Sequence, residues 1–166
     1  MTFLLHHTVE QSAQKYPDHI AYRFDEQSLT YAELNGRTNS LAHLLHELGV
    51  RKGDRVGIHL HQSMEIAIAI YGILKAGAVF VPLDPSLPIN RLQFVIADCG
   101  IEHVISQNRK LAGLQQVAEK IDQIKSVIGV TAVEPHPPFK TISWEEVYRR
   151  PSAKAPAVTG LIDQDL

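Results

Sequence analysis

The chain has 166 residues, 45% of them hydrophobic and 20% charged, with a formal net charge of −2. That length suits one domain with a substantial core, and the small charge of either sign argues against a nucleic acid or an anionic membrane as partner. One cysteine, Cys99, excludes an internal disulfide; no apolar run reaches the ~18 residues of a membrane helix, so a soluble, cytoplasmic protein is expected.

From the start, Thr8 or Thr2 opens a first helix with Val9, Ala13 and Tyr16 on one side, ending before Pro17. This stretch has no basic region, and its apolar run is too short for a signal peptide. Residues 20–24 alternate as a strand does, Asp25-Glu26-Gln27 turns, and Ser28-Leu29-Thr30 returns, giving a small hairpin. Thr30-Tyr31-Ala32-Glu33 is a capping-box pattern, in which the threonine oxygen and the glutamate satisfy free helix N–H groups reciprocally. Behind it Tyr31, Leu34, Thr38, Leu41, Leu45 and Leu48 recur at steps of three and four, an amphipathic stripe that Gly49 stops. Lys52-Gly53-Asp54 makes a turn, and residues 55–60 read as the next strand.

Residues 63–85, SMEIAIAIYGILKAGAVFVPLDP, form the most apolar stretch. Ser63 is placed to cap a helix and Glu65 to meet the positive end of its dipole. Met64, Ala67, Ile68, Tyr71 and Leu74 occupy one side, and Ile66, Ile70 and Ile73 make the other apolar too. Such a helix is packed between other elements. Gly77 stops it behind the cation Lys75, and residues 78–81 follow as a central strand bounded by Pro82 and Pro85. Pro88 then falls in the first turn of a helix burying Ile89, Leu92, Val95, Ile96 and Cys99, which Gly100 ends. Residues 102–106 read as a strand, 111–121 as a helix and 125–130 as a strand. The proline-rich run 134–139 is irregular, and Ser143-Trp144-Glu145-Glu146 opens a short capped helix. The alternation from 55 to 130 predicts βαβ units: an α/β fold with a doubly wound, mostly parallel sheet, helices on both faces and a small N-terminal hairpin. Residues 1–150 form the α/β unit, and 151–166 a loop or linker.

The chemistry-bearing residue types give no catalytic set. Among nine histidines, His43 and His46 lie three apart on the long helix, and His59 and His61 share a strand face. Zinc needs further ligands, and solvated or partly buried histidines are the stronger reading. Gly72 and Gly77 have phosphate-loop spacing, but they end a helix before a strand. A phosphate loop runs the other way and continues with Lys-Ser/Thr, where Ala78-Val79 stand. Cys99 reads as a buried, inert thiol. Asp84 lies just after a parallel strand, where ligands collect, yet is best explained as a turn residue capping Ser86 or Leu87. Tyr31 and Glu33 belong to packing and capping. No catalytic, cofactor-binding or metal-binding residue is therefore assigned.

Two stretches carry a resemblance. LTYAEL (29–34) resembles the first core motif of the AMP-forming adenylating enzymes, which comprise acyl-CoA synthetases, luciferases and the adenylation domains of nonribosomal peptide synthetases. LKAGAVFVPLDP (74–85) resembles the second, and LGVRKGDRVGIHL (48–60) and LPINRLQFVIADCG (87–100) have the family's usual form. Order and spacing match from His7 to Leu166. The resemblance implies part of the N-terminal domain of an enzyme that joins a carboxylate to ATP with Mg2+, releases pyrophosphate and passes the acyl group to a CoA or carrier-protein thiol. The family's phosphate loop begins shortly after a segment like 163–166. Its ribose contact, magnesium-binding glutamate, hinge and catalytic lysine come later still. No catalytic residue is carried over, and the chain is expected to be inactive alone. Its expected partner is the remainder of the parent enzyme, with self-association through uncovered apolar surface. AGAVFVPLDP leans toward the peptide-synthetase form; the short start leans toward a free-standing ligase or a chain-initiating module. The alternative is a truncated paralogue acting as a structural or interaction domain.

Overall fold

The computed structural model describes residues 4–131 and 137–158. They divide into two compact units, the first drawn from residues up to Asp54, from Gln62–Val79 and from Tyr148 onward, the second from Arg55–His61 and Phe80–Val147.

In the first unit, α1 (Leu5–Lys15) starts without a side-chain cap. Thr8 does not open it: its hydroxyl donates to the Leu5 carbonyl at 2.6 Å, inside the helix. Thr2, the other expected opener, lies outside the described residues. The hairpin forms as expected, β1 (Ile20–Phe24) antiparallel to β2 (Gln27–Thr30), with Asp25 at φ 50° in its turn. Thr30 then opens α2 (Tyr31–Glu47) through a complete capping box. The Thr30 N–H donates to Glu33 Oε2 at 2.8 Å, and the Glu33 N–H to Thr30 Oγ1 at 3.2 Å. Those bonds hold the Glu33 carboxyl below its ordinary pKa, the Thr30 N–H contributing most.

The next helix begins later than expected. α3 runs Glu65–Lys75, with Met64 at its N-cap and no side-chain cap. Ser63 Oγ meets no hydrogen-bond partner; instead the Ser63 carbonyl accepts the Ile66 N–H at 3.4 Å. Met64 is already in αR geometry, so the first turn closes through backbone alone. Gly72 is where α2 and α3 meet: a Cβ there would lie 2.9 Å from the Leu41 Cβ, and Leu41 is fully buried. Gly77, at φ 76°, ends the helix as expected.

The second unit carries a sheet ordered β4 (Val79–Pro82), β3 (Arg55–Ile58), β5 (His103–Ile105), β6 (Ser126–Ile128) and β7 (Lys140–Ile142). β3, β5, β6 and β7 pair in parallel. β4 was expected in the centre and lies at the edge. Pro82 supplies the reason, since a residue with no N–H is tolerated where one side of the strand needs no donor. α4 (Ile89–Asp98) and α5 (Leu111–Ala118) cover one face, where Leu92, Ile96, Leu114 and Val117 join Val104, Val127 and Phe139 in one core. Pro88 is the N-cap of α4 rather than part of its first turn. On the opposite face Val56, Ile58, Ile105, Ile128 and Ile142 are buried too, the two-sided burial expected of a parallel sheet.

β7 has no counterpart in the sequence reading, because Lys140-Thr141-Ile142 is too short to show alternation. The expected irregular run 134–139 lies partly outside the described residues. α6 (Trp144–Tyr148) follows with the predicted serine cap: the Ser143 N–H donates to Glu146 Oε2 at 2.8 Å and the Glu146 N–H to Ser143 Oγ at 3.2 Å. Trp144 lies over Gly129, whose φ is 89°. Among the described residues, no helix is long and apolar enough to cross a membrane.

Candidate functional site

Ligands of parallel sheets collect at the carboxyl ends of the strands. In the second unit that end carries His59 and His61 beyond β3, Asp84 beyond β4, Ser106 beyond β5 and the turn Asn108–Lys110. The strand ends are tied by main chain: the His59 N–H donates to the Ile105 carbonyl at 2.8 Å, and Ser106 Oγ to the His59 carbonyl at 3.1 Å. Lys110 spends its ammonium on the Pro85 carbonyl at 2.6 Å. Asp84 Oδ1 accepts both the Ser86 N–H and the Ser86 hydroxyl at 2.8 Å, as expected of a turn residue. These bonds hold its carboxyl below the ordinary range. A carboxylate so engaged stabilises the loop and is poorly placed to accept a substrate proton.

His59 is buried, and its pKa is pushed down to about 4 by loss of water, with Lys110 and His61 adding and Asp84 opposing. His61 is also lowered, by partial desolvation first and then by Arg109 and Lys110. Both rings are therefore neutral near pH 7. In the first unit His6 is buried likewise and lowered to about 4, chiefly by desolvation and then by His7 and Lys75. The unfolded chain binds more protons than the folded one between pH 4 and 6.5. Stability is then present above about pH 6.5 and lost as pH falls toward 4, by up to about 3 kcal/mol for each of His59 and His6. Urea midpoints measured from pH 7.5 to 4.5 should show this fall, with part of it removed in His59→Gln. A midpoint flat between pH 7 and 5 would refute it.

The remaining candidates are structural in their surroundings. Cys99 sits at the C-cap of α4, half-buried against the core. His103 Nδ1 pairs with Ser126 Oγ at 2.8 Å within the sheet. On α2, His43 Nε2 donates to the Lys154 carbonyl at 2.8 Å and His46 Nε2 to the Ala76 carbonyl at 3.1 Å. Among the described residues, no three His, Cys, Asp or Glu side chains come together as a metal site requires.

One group was missed by sequence reasoning. Lys75, read as a dipole-facing cation, is 2% exposed. Its ammonium donates to Asn35 Oδ1 at 2.5 Å and Asn39 Oδ1 at 2.7 Å, with Glu10 Oε1 at 4.0 Å. Burial lowers its pKa to about 8, opposed by Glu10. A cavity of about 640 Å³ next to it is lined by His6, His7, Glu10, Asn35 and Asn39. The available signal was the Asn pair four apart on one helix opposite a lysine ending an otherwise apolar one. With its donors engaged by amide oxygens, Lys75 is held as an ammonium, and a nucleophilic amine is not what this geometry builds.

Comparison with known proteins follows the same lines. The model of the family described as AMP-binding enzyme matches residues 9–160. Tyrocidine synthase 3 of Brevibacillus parabrevis is 42% identical over 119 residues, which are 72% of this chain and 2% of that protein. Mycobacterium smegmatis MbtA superposes with a TM-score of 0.79 at 27% identity, over 99% of this chain and 30% of that one. The anthranilate CoA ligase AuaEII, solved with anthranoyl-AMP, shares the fold at a TM-score of 0.83 and 20% identity, over 94% of this chain and 30% of its own. The chain thus spans a small part of the proteins it matches.

Proposed function

The chain belongs to the AMP-binding enzyme family, and from that membership we propose that it is the N-terminal segment of an AMP-forming acid–thiol ligase. The parent activates a carboxylate with ATP and Mg2+ in the cytoplasm, releases pyrophosphate, and hands the acyl group to a thiol. The observation that carries this reading is the family match across nearly the whole chain, on a fold shared with the anthranilate CoA ligase.

A carrier-protein thiol is the favoured acceptor. The stretch AGAVFVPLDP (76–85) leans toward the peptide-synthetase form, and the sequence is 42% identical to a tyrocidine synthase over the matched stretch. The segment's contribution is scaffolding. Its capping box, buried α3 and sheet hold side chains whose polar groups are largely spent on the fold itself. Its partner is the remainder of the parent, and no residue of the reaction's catalytic set is assigned to it.

Pyrophosphate exchange into ATP tests both halves of the proposal. The purified 166-residue chain should give no signal above background with any carboxylate. A longer chain carrying the phosphate loop together with the family's later ribose, magnesium and catalytic-lysine motifs should give exchange that depends on an amino acid. Exchange by the short chain would overturn the scaffolding assignment, and none from the longer chain would overturn the ligase reading.

A further inference from the structure

Alternate carbonyls of residues 150–154 are held by side chains of α2. Ser40 Oγ donates to the Arg150 carbonyl at 3.1 Å, Asn39 Nδ2 to the Ser152 carbonyl at 2.7 Å, and His43 Nε2 to the Lys154 carbonyl at 2.8 Å. Arg150 adds an ion pair, its Nη2 lying 2.9 Å from Glu47 Oε2. All these groups belong to the first unit.

Asn39 can serve the Ser152 carbonyl only if its amide presents nitrogen outward. A free asparagine amide has no such preference, since its oxygen and nitrogen ends exchange by rotation. Here Lys75 removes the choice: an ammonium has donors and no acceptor, so it takes the amide oxygen at 2.7 Å and turns Nδ2 toward Ser152. Asn35, a second acceptor for Lys75, fixes the ammonium in turn.

We infer that Lys75 is a positioning residue that acts through Asn39 to fix residues 150–154 on α2 in one register. The strap is a property of this chain. Its catalytic meaning rests on the ligase reading, in which the phosphate loop follows downstream and the strap anchors its approach.

Asn39→Asp isolates the last link, because the carboxylate keeps an acceptor for Lys75 and loses the donor to Ser152. Under native conditions trypsin should cut after Lys154 about tenfold faster in this variant, with the thermal midpoint little changed. His43→Leu, which leaves Lys75 untouched, should also speed the cut and serves if Asn39→Asp does not fold. The action of Lys75 itself is read by NMR: the Asn39 side-chain NH2 should be protected from exchange in the native chain and lose protection in Lys75→Met. Equal cutting rates in all variants, or an Asn39 amide as protected in Lys75→Met as in the native chain, would overturn the inference. In a longer chain with the phosphate loop, Asn39→Asp should lower kcat for exchange several-fold. If the unsubstituted longer chain shows no exchange, the ligase reading has failed, and proteolysis and NMR still decide the strap.

Discussion

Replacing Gly129 by alanine is expected to cost the second unit about 3–5 kcal/mol, enough to unfold many small domains outright. Two penalties add. The residue sits at φ 89°, where an L side chain strains by roughly 1–2 kcal/mol. A Cβ there would also lie 2.6 Å from the Ser106 carbonyl oxygen and 2.8 Å from Trp144 Nε1. The Ser106 carbonyl is not free to yield. The Ser106 N–H is bonded to the Ile128 carbonyl at 2.8 Å, its hydroxyl to the His59 carbonyl, and the Gly129 N–H to the Ile142 carbonyl at 2.7 Å. Overpacking against fixed groups costs about 1–3 kcal/mol or more. Gly100→Ala is the matched control: φ is 65° there, with nothing within 4 Å of the added carbon, so only about 1 kcal/mol should be lost. Urea denaturation followed by circular dichroism separates the two. Similar losses at both positions would show that backbone strain dominates and the contact is soft.

Gly72→Val should destabilise the first unit by about 3 kcal/mol or more for a different reason. Gly72 is helical, so a side chain gains helix propensity of up to about 1 kcal/mol over glycine, less for a β-branched residue. Against that, the first added carbon meets three atoms of Leu41 at 2.6, 2.9 and 2.9 Å. The Leu41 Cδ2 can rotate away, but its Cβ moves only if α2 moves. α2 is itself fixed by its capping box at Thr30. Gly72→Ala should fall between, near 1–2 kcal/mol. A valine variant as stable as the native chain would mean that the two helices separate at little cost.

Gly72 also shows where sequence was readable and where it was not. Its spacing to Gly77 was set aside as a phosphate loop on two grounds, the helix–strand order and Ala78-Val79 standing where Lys-Ser/Thr is required. Its real role, permitting two helices to approach, depends on which residue of another helix stands opposite, and no local pattern carries that. The capping box at Thr30 and the serine cap at Ser143 were legible because both partners lie within three residues. Ser63 failed as a cap although its type was right, because backbone geometry at Met64 had already satisfied the turn. The alternation of strands and helices indicated a parallel sheet, but Pro82 was read only as a strand end. It was equally a statement that the strand lies at an edge. Lys75 stayed hidden because its acceptors, Asn35 and Asn39, lie some forty residues earlier. The family resemblance was legible in two motifs whose own residues hold scaffold.

Trp144 is the chain's one tryptophan, and it belongs to the second unit, packed over Gly129. Its indole emission is therefore a built-in optical reporter on one unit, excited apart from every other side chain. Far-ultraviolet ellipticity, by contrast, draws mostly on helices, including α1, α2 and α3 of the first unit. Laid over one another, a fluorescence curve and an ellipticity curve ask whether the two units melt as one cooperative body or in turn. No label or engineered probe is needed for that comparison.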